Sequence, residues 1–200
     1  PPIYFSRHGQ SIYNTKELIG GDSLLSEKGK LYAQGLSKLF KNSEENSNCP
    51  KKYCSTLKRT QQTISYLDDV GEGEPTVKPE IDEINAGICD SMTYEQIEEK
   101  YPEEFQLRKK DKLNYRYPEG ESYIDLNKRL QPFLKEVESA TSPVLIISHQ
   151  ATLRCVHSHL RGLPAKEIPY IQVPLHSLVK FERSAFGYKE TVYKYDTESK

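Results

Sequence analysis

The apolar residues of this chain fall into short unbroken runs that alternate with stretches where they recur every three or four positions. Ile3-Tyr4-Phe5 and Val144-Leu145-Ile146-Ile147 are runs of strand length with the pattern of strands buried on both faces, and a shorter one surrounds Tyr53-Cys54. Ser26 is placed to cap a helix whose Leu31, Tyr32, Gly35, Leu36, Leu39 and Phe40 keep helical spacing until the polar run from Lys41 to Pro50 ends it. A second helix is expected from Leu57 to about Asp68 with Arg59 in its first turn, followed by a surface loop at Gly71-Glu72-Gly73-Glu74-Pro75.

From Val77 and Ile81 to about Ser122, apolar runs are scarce. Thr93 with Gln96 forms a capping-box pattern and Pro102 suits a first helical turn; both helices are mostly polar, so this stretch reads as an excursion without a core of its own rather than a second domain. A long helix then runs from Ser122 to about Ser139, burying Leu126, Leu130, Phe133 and Val137, with a kink expected at Pro132. The Val144 run leads into a helix through Leu153 and Leu160 that stops at Gly162. Leu178 to Phe181 and Thr191 to Tyr195, joined through Ser184 to Gly187, form a hairpin. Strands alternating with helices predict a three-layer α/β sandwich, a mostly parallel central sheet with helices on both faces, in one domain over residues 1–200.

A net charge of −1 with 28% charged residues gives no global field for nucleic acid or an anionic membrane, so an anionic ligand needs a local cluster and the partner is small. The apolar runs are far shorter than a membrane span, and no basic segment followed by an apolar run opens the chain; it reads as soluble. Cys49, Cys54, Cys89 and Cys155 form no C-x-x-C pair, the pattern of reduced thiols in a cytoplasmic protein. Of Cys155, His157 and His159 only the first and last share a helix face, too few ligands for zinc, and no metal or other cofactor is expected. The chain opens at Pro1-Pro2 and its sole methionine is Met92, which fits an excised domain or a processed product. No G-x-x-x-x-G-K-[ST] loop occurs, so any nucleotide-binding partner domain lies outside these residues.

The chemistry concentrates at strand ends. Arg7-His8-Gly9 follows the first apolar run and Ser148-His149-Gln150 follows the Val144 run, so both histidines fall at the carboxyl edge of the sheet. Phosphoryl transfer needs cationic donors around the equatorial oxygens, an in-line nucleophile and an acid for the leaving oxygen. Arg7, His8, Arg59 and His149 supply donors and nucleophile, Asn14 adds a neutral donor, and Glu83 is the best candidate for the acid. In the basic run from Gln106 to Arg116, Arg108 and Lys112 lie one helical turn apart on one face and form a clamp for a second phosphate.

These residues resemble the histidine phosphatase superfamily, which also contains the cofactor-dependent phosphoglycerate mutases: Arg7-His8-Gly9, Ser55-Thr56-Leu57-Lys58-Arg59-Thr60 with Gln62-Thr63, Glu83 and His149-Gln150 carry the likeness. A narrower resemblance, to the fructose-2,6-bisphosphatase domains of the bifunctional 6-phosphofructo-2-kinase/fructose-2,6-bisphosphatases, rests on further segments. These are Ile19-Gly20-Gly21-Asp22-Ser23, Met92-Thr93-Tyr94-Glu95, Tyr101 to Phe105, Arg108 with Lys112, Tyr115 to Tyr123, and Pro174-Leu175-His176. The resemblance implies a phosphoglycerate-mutase-like sandwich whose segment at about 79–121 covers the substrate. It implies that His8 takes the 2-phosphate of fructose 2,6-bisphosphate with Glu83 as proton donor, and that water then releases phosphate without a metal. Arg7, Asn14, Arg59 and His149 would hold the transferring group with Gly20 close by. Tyr94, Arg108, Lys112, Tyr123, Gln150 and Arg154 would hold the sugar and its 6-phosphate, and a linked kinase domain would lie outside these residues.

Three positions depart from that pattern: Gln10 stands where Glu is frequent, Asn85 where Asp is usual, and Ser148 where Cys is common. Loss of a carboxylate beside Glu83 removes like-charge repulsion, which is expected to weaken Glu83 as an acid. Two other classes stay open, a mutase that returns the phosphoryl group to its bound product and a silent module that binds phosphosugars.

Overall fold

The computed structural model describes residues 1–42, 50–71 and 73–198; Cys49, Glu72 and most of the polar run after Lys41 lie outside the described residues. Strands β1 (Ile3–Arg7), β2 (Lys51–Cys54), β3 (Thr76–Val77), β4 (Val144–Ser148), β5 (Ser177–Ser184) and β6 (Gly187–Lys194) form one six-stranded sheet in the order β3-β2-β4-β1-β5-β6. The pairs β2–β3, β2–β4 and β1–β4 are parallel, whereas β5 runs antiparallel to β1 and carries the hairpin strand β6. The helices are α1 (Ile12–Thr15), α2 (Glu27–Lys41), α3 (Lys58–Ile64), α4 (Tyr94–Lys100), α5 (Pro102–Lys110), α6 (Tyr123–Glu138) and α7 (Gln150–Arg161).

Side chains alternate across the buried strands and feed two apolar layers. Ile3, Phe5, Tyr53, Val144 and Ile146 pack with α6 and α7 on one face, through residues such as Leu130, Phe133, Leu153 and Val156. Tyr4, Cys54, Leu145 and Ile147 pack on the other face with Tyr32, Leu36 and Phe40 of α2 and with Ile64 and Leu67. The chain leaving β1 therefore turns to one face and the chain leaving β4 to the other. A crevice opens between neighbouring strand ends at such a switch point.

Caps fall where the sequence places them. Ser26 Oγ accepts from the Gly29 N–H, Thr93 and Gln96 close a capping box, and Gly162 ends α7 in the left-handed conformation (φ 61°). Helix α6 runs through Pro132 without interruption, because that residue and Lys128, whose carbonyl loses its donor, lie on the solvent face. Helix α3 is shorter than expected and stops at Ile64; tight turns then bond Leu67 N to Ile64 O and Val70 N to Leu67 O, which lets both Leu67 and Val70 reach the core.

The excursion does bury a cluster of its own: Ala86, Cys89, Ile97 and Tyr117, with Ile19, Met92, Tyr101, Phe105 and Tyr115 against them. Much of its apolar surface is tyrosine, which a count of aliphatic periodicity misses. Lys112 lies beyond α5 rather than on it. The Asp111 carboxylate accepts from the backbone N–H and side-chain amide of Asn114, at 3.0 to 3.2 Å, and this turn competes with continued helix.

Glycine is required where α2 backs onto the loop after β1. A Cβ on Gly29 would lie 2.0 Å from the Gln10 carbonyl oxygen, and one on Gly9 would lie 2.4 Å from the Gly29 oxygen. Gly29→Ala is expected to destabilise the fold by about 2–3 kcal/mol through this overpacking, read as a lower urea midpoint at unchanged m-value.

Candidate active site

The parallel register pairs Arg7 with Ser148, so the residues that follow, His8 and His149, emerge side by side. The His8 N–H donates to the Ser148 carbonyl at 3.0 Å, and the two imidazole centroids are 5.2 Å apart. Both rings are buried. His8 Nδ1 lies 2.6 Å from the Gly9 carbonyl oxygen, and Arg59 Nε donates to His8 Nε2 at 3.2 Å. These contacts define one tautomer, with the proton on Nδ1 and a lone pair on Nε2. Burial foremost, then the Arg59 and Arg7 charges, holds the His8 pKa well below its ordinary value, so the ring is neutral at neutral pH.

Unsatisfied donors surround that lone pair. Arg7 Nη1 is anchored on the Val173 carbonyl at 3.1 Å while its Nε is buried without a protein partner; burial lowers the Arg7 pKa to about 10, which leaves it charged. Arg59 Nη1 is fixed on the Gly21 carbonyl at 2.8 Å. His149 Nε2 meets the Ser55 hydroxyl at 2.8 Å, and its Nδ1 is buried and unpartnered among the described residues. In the tautomer in which Ser55 donates to Nε2, the Nδ1–H of His149 is left for an anion. Asn14 accepts from the Ser11 N–H through its side-chain oxygen, at 2.9 Å, which leaves its amide N–H groups for the cavity.

Glu83 sits over the first turn of α7. Its carboxylate accepts from Ala151 N at 3.2 Å and Thr152 N at 3.3 Å, and also from its neighbour Ile84 N at 2.9 Å. Its loop is held from behind by Arg129, which donates to the carbonyls of Glu80 (2.6 Å), Asp82 (2.9 Å) and Glu83 (3.0 Å) and pairs with Glu121. The Asn85 side chain turns instead to its own loop, accepting from the Gly87 N–H at 2.9 Å. Gln10 accepts from Ser26 Oγ, and Ser148 Oγ donates to the Ile81 carbonyl at 2.7 Å.

Arg7, His8, Asn14, Gly20, Arg59, Glu83, Tyr94, Arg108, Lys112, Tyr123, Gln150 and Arg154 line one cavity of about 860 Å³ including its open mouth, together with Tyr115 and Tyr117. His149 lies behind it, against His8. The same cavity is lined by a second set of cations, Arg108, Lys112 and Arg154. Arg108 stacks on Tyr94 at 5.0 Å and on Tyr117 at 6.0 Å, and Arg154 donates to the Tyr123 hydroxyl at 2.9 Å and to the Ile171 carbonyl at 2.8 Å. Lys112 reaches the Pro169 carbonyl at 3.1 Å; burial, with Arg108 and Arg154 nearby, lowers its pKa to about 8. Cations crowded together and partly desolvated are a site prepared for a polyanion. The remaining basic residues of that run do not join it: Arg116 pairs with Asp125, and Lys109 and Lys110 are exposed.

On α7, Cys155 is buried while His157 and His159 pair with Glu190 and Glu138, each at 3.1 Å, so the three do not converge. Among the described residues no helix is long and apolar enough to cross a membrane. Ser55 and His176 fall in segments that carry the family likeness but were given no role from sequence, and Arg129 was not singled out; their contacts are to another side chain or to backbone groups.

A neutral histidine between two arginines at a parallel strand end, with a second histidine and a carboxylate on a neighbouring helix terminus, is equipment for phosphoryl transfer through a covalent histidine. The chain belongs to the histidine phosphatase superfamily (branch 1), whose family model matches residues 3–195. It is 48% identical over 195 residues to a Saccharomyces cerevisiae fructose-2,6-bisphosphatase, covering 96% of this chain and 41% of that protein. It is 44% identical over 194 residues to an Arabidopsis thaliana 6-phosphofructo-2-kinase/fructose-2,6-bisphosphatase, covering 96% of this chain and 26% of that protein. The fold matches that of the alpha-ribazole phosphatase from Shigella flexneri with a TM-score of 0.85 at 21% identity, covering 98% of this chain and 96% of that one.

Proposed function

We propose that this chain hydrolyses the 2-phosphate of fructose 2,6-bisphosphate to fructose 6-phosphate and phosphate through a phosphohistidine at His8. The observation that carries the reading is one cavity with two cationic clusters, only one of which holds a nucleophile. A bisphosphorylated sugar spans both. Its 2-phosphate meets Arg7, Arg59, Asn14 and the Nδ1–H of His149, beside Gly20. Its 6-phosphate meets Arg108 and Lys112, with Tyr94, Tyr123, Gln150 and Arg154 around the ring.

His8 Nε2 forms the bond to phosphorus as the bond to the C2 oxygen breaks, and Glu83 gives its proton to that oxygen. After the sugar leaves, water attacks phosphorus, Glu83 takes its proton, the N–P bond breaks and phosphate departs. The protein's own donors stabilise the equatorial charge throughout. We read residues 1–200 as one unit in which the segment at about 79–121 covers the substrate. The relatives named 6-phosphofructo-2-kinase/fructose-2,6-bisphosphatase, of whose length this chain covers less than half, support a covalently linked kinase domain in the whole protein, and we read its role as sugar phosphate metabolism in the cytoplasm.

The test is a parallel assay of fructose 2,6-bisphosphate hydrolysis and of phosphoglycerate interconversion. Hydrolysis is expected to dominate. Mutase turnover exceeding it overturns the substrate, and neither activity overturns the enzyme. Arg108→Ala is expected to raise KM for the bisphosphate by about 10- to 100-fold, the loss of one or two charge-assisted hydrogen bonds, while changing kcat less than about threefold. An effect confined to kcat would assign Arg108 to the wrong phosphate.

A further inference from the structure

His176 has no role in the chemistry above, yet the molecule holds it at some cost. It adopts a left-handed backbone (φ 57°), an unfavourable conformation for a residue with a Cβ, and its ring packs on the buried Tyr32 with centroids 4.7 Å apart. Its Nε2 accepts the Gln10 N–H at 3.0 Å. The carbonyl of that same peptide unit, the Gly9 oxygen, lies 2.6 Å from His8 Nδ1. One amide thus bridges the two imidazoles, its oxygen on His8 and its N–H on His176.

We propose that His176 is a positioning residue that fixes the tautomer of His8 through the Gly9–Gln10 peptide; the proposal rests on the reading of His8 as nucleophile. An acceptor on the N–H side of an amide polarises it and strengthens its oxygen as an acceptor. That oxygen then holds the proton on His8 Nδ1 and leaves Nε2 free, the state that also accepts from Arg59. When Nε2 bonds to phosphorus the ring gains positive charge, and the Gly9 oxygen stabilises the Nδ1–H that carries it. His176 serves only while its own Nε2 is unprotonated; burial, followed by the Lys28 and Arg7 charges, lowers its pKa to about 4 and keeps it so. Gly9 is pinned on its other side by its N–H, which donates to Thr63 Oγ1 at 3.0 Å, so the bridging amide has little freedom to turn away. The Gln10 side chain plays no part in the bridge.

The test combines nitrogen NMR of the resting enzyme with single-turnover phosphoenzyme formation. In the wild type, a scalar coupling between the Gln10 amide nitrogen and His176 Nε2 across their hydrogen bond is expected, and His8 shows one tautomer; absence of that coupling overturns the proposal without any variant. His176→Phe keeps the ring on Tyr32 and removes the acceptor. It is expected to give His8 a mixed tautomer population and to slow phosphoenzyme formation about tenfold, with KM changed less than about twofold. His176→Gln places an amide oxygen near the position of Nε2 and is expected to restore both readouts to within about threefold of wild type. Unchanged His8 nitrogen shifts in His176→Phe, or equal slowing in both variants, overturns the proposal. Phosphoenzyme persisting in a His8→Ala variant overturns the nucleophile instead, a separate failure that leaves the NMR result to judge the bridge.

Discussion

His8→Ala is expected to abolish phosphoenzyme formation and to lower kcat/KM for fructose 2,6-bisphosphate by at least about 10⁴-fold, the scale on which loss of a covalent nucleophile acts. The measurement is brief exposure to substrate labelled at the 2-phosphate, followed by quenching. Wild-type protein should carry label that is stable in alkali and lost in acid, as a phosphoramidate is, and the variant should carry none. Arg7, Arg59 and His149 remain to hold the 2-phosphate, so substrate affinity should survive far better than turnover. Label retained by the variant would remove His8 from the mechanism. The pH dependence follows from the same environment. Because burial and the two arginines hold the His8 pKa well below 6.5, the unprotonated fraction is already near its maximum at pH 7. The labelling rate should therefore show no loss from a group titrating near pH 6.5; a rate halved at that pH and falling about tenfold per unit below it would mean that His8 titrates as an ordinary exposed histidine.

The sheet and the neighbouring histidines were legible in the sequence because strand ends are punctuated. An apolar run stops, a polar residue follows, and in a parallel sheet that residue must lie at the carboxyl edge. The Arg7–Ser148 register converts two such stops into neighbouring imidazoles. Arg108 and Lys112 were legible as a cationic pair but for an imperfect reason: the shared helix face ends at Lys110, and the cavity wall rather than helical spacing brings Lys112 in. Arg129, Ser55 and His176 were silent because their partners are carbonyls, a second ring and a peptide N–H. Those groups exist at every position, so no residue pattern marks the ones that matter. At Asn85 the structure adds contacts that the sequence does not show: its side chain bonds its own loop, while the Glu83 carboxylate is held by the first turn of α7.

That placement of Glu83 makes the second large effect dependent on the leaving group. Glu83→Gln keeps the shape and one acceptor oxygen for the α7 N–H groups, yet it has no proton to give. Phosphorylation of His8 by fructose 2,6-bisphosphate is expected to slow by about 10²- to 10³-fold, the usual worth of general acid catalysis to a poor leaving group. With p-nitrophenyl phosphate, whose leaving phenolate needs little protonation, the same variant should slow phosphorylation by less than about tenfold. In the proposed mechanism the later step, attack of water on the phosphohistidine, uses Glu83 as base whichever substrate supplied the phosphate, so hydrolysis of the intermediate should be slow with both. Rapid quenching with the two substrates separates these steps: phosphoenzyme should accumulate with p-nitrophenyl phosphate and form slowly with the sugar. Equal slowing of phosphorylation with both leaving groups would mean that the carboxylate positions His8 or His149 rather than donating a proton, and the acid would then have to be sought among the other groups lining the cavity.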